Sequence, residues 1–142
     1  MKKVLLFIMT LVLAIGCQSI DNNKTTYTFV CTDGTIEDIV ASGWEMGYSS
    51  IDVQVLVSEY FQGQRVATNL ITDVVSGREY TREANMKAEY ITIRVDVDFS
   101  GSAKYEDLEF DRYIANVFYL NIGEDTRIEF NGNTIVSQIE PK

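Results

Sequence analysis

Histidine is missing from all 142 residues, and its absence excludes a good deal. There is no His-based catalytic triad, no imidazole metal ligand and no side chain whose ordinary pKa lies near neutrality. Basic residues are scarce too, with 12 Lys and Arg against 21 Asp and Glu. A net charge of −9 argues against a basic face for phosphate backbones or anionic headgroups, so nucleic acid is not the expected partner. Two cysteines cannot build a disulfide framework. The single proline, Pro141, lies past the last β-like segment. No GxSxG elbow, CxxC pair, Walker loop or HExxH helix occurs. Only one long apolar run exists, Val4 to Ile15, and it falls short of the roughly 20 residues that a spanning helix needs.

That run has a different layout. Met1-Lys2-Lys3 gives a positive start, the apolar stretch follows, and Ala14-Ile15-Gly16-Cys17 ends it before the chain turns polar. The segment resembles the signal of a bacterial lipoprotein, in which a small residue precedes an invariant cysteine. The resemblance covers residues 1–17. It implies cleavage before Cys17, a diacylglyceryl group on the Cys17 thiol and acylation of the new amine. Gln18, standing where an inner-membrane retention signal would place Asp, points to the outer membrane. One acyl chain anchors a protein marginally, whereas two or more hold it stably. Residues 1–16 are thus expected to be a signal peptide, and 17–25 a polar tether. Without Lys2 and Lys3 the net charge of −9 becomes −11. Cys31, left without a partner, reads as a small buried strand residue.

From Thr26 to Lys142 the pattern is β, and the length suits one domain. Tyr27–Cys31 reads as a first strand, broken by Asp33-Gly34. Thr35–Ser42 fits either a short helix, capped by Asp33 or Thr35 and ended by Gly43, or an irregular edge. Gly43–Ser50 reads as loop. In Ile51–Phe61, Ile51, Val53, Val55 and Val57 share one face, opposite Asp52, Gln54, Ser58 and Tyr60. Arg65–Ile71 and Arg78–Thr81 follow. Tyr90–Phe99 alternates most cleanly, with Ile91, Ile93, Val95, Val97 and Phe99 inward and Thr92, Arg94, Asp96 and Asp98 toward water. One wet face argues for antiparallel pairing. Tyr113–Ile122 is more apolar and suits a central strand. Asn131-Gly132 signals a hairpin between Thr126–Phe130 and Thr134–Ile139.

The expectation is an all-β, single antiparallel sandwich of about seven or eight strands. The stretch Asn85–Val95 is similar to the loop-into-strand segment of fibronectin type III and other immunoglobulin-like domains. The similarity implies that Tyr90 folds back to hydrogen-bond the preceding loop.

Three sets of residues invite a functional reading. Trp44 and Tyr48 offer aromatic surface for a glycan or protein ligand, with burial of Trp44 as a core plug the alternative. Asp96, Asp98, Glu106 and Asp107 supply oxygens of the kind Ca²⁺ takes, although no EF-hand-like loop is present and a solvated acidic face explains them equally. Paired carboxylates also permit glycoside hydrolysis, but with 21 acids such a pair carries little information. The sequence therefore points to a lipid-anchored, non-catalytic binding or structural module of the envelope, without a cofactor. Its expected partner is an envelope protein or a glycan. The alternative is a small acid-dependent hydrolase or a calcium-dependent module.

Overall fold

A computed structural model describes residues 23–102 and 110–140. The chain forms β1 (Thr26–Cys31), α1 (Thr35–Glu45), β2 (Tyr48–Phe61), β3 (Gln64–Ile71), β4 (Glu79–Glu83), β5 (Tyr90–Ser102), β6 (Phe110–Tyr119), β7 (Asp125–Phe130) and β8 (Ile135–Glu140). Two four-stranded sheets pack face to face. The first has the order β4-β1-β7-β8, the second β3-β2-β5-β6. The core between them holds Tyr27, Phe29, Val55, Val57, Ile91, Ile93, Val95, Ile128 and Phe130, all fully buried. Among the described residues the domain is an all-β sandwich of eight strands, as the alternation implies. No helix among the described residues is long and apolar enough to cross a membrane.

The second sheet is antiparallel throughout. The first is not, because β1 pairs antiparallel with β4 but parallel with β7. One pair therefore breaks the expected all-antiparallel pattern. β6 is an edge strand and not a central one. Among the described residues it pairs within its sheet with β5 alone, and its apolar Tyr113, Val117 and Tyr119 face water. Tyr90 does not take up the loop-bonding role. Its ring stacks on Tyr60 at 5.0 Å and lies 5.7 Å from Tyr119. The tyrosine that ties down its upstream loop is Tyr80. Its hydroxyl accepts from the Val75 N–H at 3.0 Å and donates to the Asp73 carbonyl at 3.3 Å.

Residues 35–45 resolve to a helix, and it runs past Gly43. Neither Asp33 nor Thr35 caps it. Gly34 occupies the N-cap position in a left-handed conformation, and the Ile36 N–H is satisfied from a distant loop by Ser76 Oγ at 2.9 Å. Gly43 does not stop the helix because it is needed inside it. A Cβ there would lie 2.6 Å from Ile51 Cγ1 and 2.8 Å from Phe99 Cε1, so only glycine lets the helix approach the sheet this closely.

Candidate functional site

The chain enters the sandwich at the start of β1 and leaves β1 into α1. With a rise of about 3.3 Å per residue, this short strand places the helix about 20 Å from the entry point, at the opposite end of the sandwich. Four elements meet at that far end. They are α1, the neighbouring β5 and β6, and the turn between β7 and β8. Between them lies a groove of about 530 Å³. Ile39, Met46, Val97 and Phe99 supply its apolar surface, and Asp38, Ser42 and Arg112 its polar rim.

Local chemistry fixes this arrangement. Asp38, Ser42 and Met46 recur every four residues and so form one stripe along α1. The β7–β8 turn is held by the Asn131 side chain, whose Oδ1 accepts from the Asn133 and Thr134 N–H groups at 3.1 and 2.9 Å. Gly132 takes φ 91° within that turn. Arg112 then reaches across, donating from Nη2 to the Gly132 carbonyl and to Asn133 Oδ1, both at 3.3 Å. The result is an apolar cleft with a few fixed polar groups, the usual composition of a binding site.

Trp44 is 63% exposed, so it is not a core plug. It stands two residues from both Ser42 and Met46, about 200° around the helix from their stripe, and so faces away from the groove. Tyr48 is half-buried with its ring 5.4 Å from Phe99, and its role is packing. The structure does not bring Trp44 and Tyr48 into the groove. Asp96 is half-buried and paired with Arg94 at 2.7 Å, while Asp98 is exposed. Asp98 has Asp52 and Asp111 as cross-strand Cα partners. Glu106 and Asp107 lie outside the described residues. Cys17 does as well, together with the whole of 1–22.

One polar cluster escaped the sequence reading. Glu59 continues the inward alternation of Val53, Val55 and Val57 and is 2% exposed. Its Oε1 accepts from the Tyr27 hydroxyl at 3.1 Å and from Asn69 Nδ2 at 3.3 Å, and its Oε2 accepts from the Asn85 N–H at 2.7 Å. Asn69 also donates to the Tyr27 oxygen at 2.9 Å. Burial, reinforced by the neighbouring carboxylate, pushes the Tyr27 hydroxyl well above its ordinary pKa and keeps it a neutral donor. Every acceptor here is matched from within the fold, so the cluster ties β1, β2, β3 and the loop after β4 together. Cys31 is buried and reduced. Burial, and to a lesser degree Glu37, raises its thiol from 9.0 to about 12, which leaves it inert.

Compared with known protein families, curated proteins and solved structures, the chain matches none.

Proposed function

We propose that the protein is a lipid-anchored envelope protein that acts as a non-catalytic binding module, and that the groove beside α1 holds its partner. The observation that carries this reading is the position of the groove. It opens at the end of the sandwich opposite the start of β1, where a tether from an acylated Cys17 would join. The groove is of ligand-binding size and combines an apolar surface with Asp38, Ser42 and Arg112 at its rim. A module held in one plane by its anchor profits from even weak contacts, because its partner is met at high effective concentration. A glycan strand or a segment of an envelope protein both suit a cleft with hydrogen-bonding groups at the edge of an apolar surface.

Photo-crosslinking in intact cells tests the assignment. A diazirine-bearing residue at Ser42 should yield a discrete adduct with a protein or glycan, and the same residue at Arg82, on the opposite sheet, should not. Equal adducts at both positions, or none at Ser42 in folded protein, would remove the groove from the function. Turnover of an envelope polymer by the purified protein would overturn the non-catalytic reading.

A further inference from the structure

We propose that the end of the sandwich where the chain enters is itself seated on the lipid surface, with Met86 and Ile122 in the boundary between headgroups and acyl chains. The proposal rests on the acylation of Cys17 proposed above, and extends it from a tether to a fixed orientation.

The three most exposed large apolar side chains among the described residues are Met86 at 93%, Ile122 at 82% and Tyr119 at 77%. All three sit at this one end. Met86 lies in the loop after β4, Ile122 in the turn between β6 and β7, and Tyr119 at the last position of β6. Met86 and Ile122 line one cleft with Asn23, Lys24, Thr25 and Ala88, so they flank the chain where it joins the domain. The entry itself is firmly held. Thr25 Oγ1 accepts from the Gly123 N–H at 2.9 Å, and the Thr25 carbonyl accepts from the Ala84 N–H at 2.9 Å. These bonds fix both apolar loops beside the tether.

The tether decides what covers them. From Cys17 to Asn23 the chain spans at most about 21 Å, at about 3.5 Å per residue. A small domain is about 30 Å across, so no globular partner fits between this end and the bilayer. The lipid surface is the occupant that remains. Its chemistry also fits. Tyrosine favours the headgroup level, and the row Tyr60–Tyr90–Tyr119 stands at this end of the second sheet. The nearby charges are mixed. Lys24 pairs with Glu83 at 3.0 Å, Arg65 and Lys87 are further cations, and Glu89, Glu124, Asp125 and its cross-strand partner Glu140 are further acids. An acidic excess suits zwitterionic headgroups rather than anionic ones. Seated in this way, the domain points the α1 groove away from the membrane.

The test uses the full acylated protein in phosphatidylcholine vesicles. Nitroxide labels are placed by Met86→Cys or, at the far end, by Val75→Cys. Native Cys31 is buried and does not compete for the label. The Met86 label should favour collision with oxygen over a water-soluble nickel chelate severalfold more than the Val75 label does. If Cys17 is acylated and the two labels are equally open to the chelate, the seating is wrong and the anchor stands. If mass spectrometry finds Cys17 unmodified, the anchor fails and the seating fails with it.

Discussion

Glu59 is the residue whose environment is furthest from what its side chain alone suggests. It is an acid on the core face of a strand, and three donors converge on its carboxylate from β1, β3 and the loop after β4. Removing it leaves those donors facing an apolar gap, each unsatisfied group costing about 1–3 kcal/mol. Tyr27 and Asn69 keep the bond between themselves, which limits the loss. Glu59→Ala should therefore cost about 3 kcal/mol, seen as a lower urea midpoint with an unchanged slope. Glu59→Gln, which keeps one acceptor, should cost about 1 kcal/mol. An alanine variant as stable as wild type would mean that the cluster contributes nothing. The alternation of Ile51, Val53, Val55 and Val57 already held this placement, since position 59 shares their parity. What the sequence withheld was the set of partners, because Tyr27, Asn69 and Asn85 meet Glu59 only through strand pairing and a distant loop.

Among the elements, α1 is the one that periodicity left open. Its first turn is completed by Ser76, forty residues away in sequence, through the Ile36 N–H. Ser76 also donates to Glu37 at 2.6 Å, which holds that carboxyl below its ordinary pKa. A cap supplied from so far along the chain has no local signature. Gly43 misled in the opposite sense. A glycine near the end of a helical pattern reads as a stop, yet here it is buried against Ile51 and Phe99. Gly43→Ala separates the two readings. Alanine improves helix propensity by about 1 kcal/mol, but its methyl group must displace a strand side chain and the Phe99 ring at an overpacking cost of about 1–3 kcal/mol. The net result should be a lower melting temperature. A rise would show that α1 can shift away from the sheet without penalty. The strands were easier to read. β5 alternates as expected from Ile91 to Phe99, whereas β6 looked central because Tyr113, Val117 and Tyr119 are apolar, and they face water at an edge.

For the molecule as a whole, the sandwich was legible because each sheet keeps one wet face and one dry one. The parallel pairing of β1 with β7 was not, since alternation says which face a residue takes but not which strand lies beside it. The groove was equally hidden, because its walls come from α1, β5, β6 and the β7–β8 turn, far apart in the chain. The proposed function joins that groove at one end of the sandwich to a lipid anchor at the other, and it stands or falls with Cys17. Growth with an alkyne fatty acid, followed by dye coupling and purification, measures this directly. The wild-type protein should carry the dye and Cys17→Ser should not. Dye on both proteins, or on neither, would contradict the anchor and with it the orientation on which this account is built.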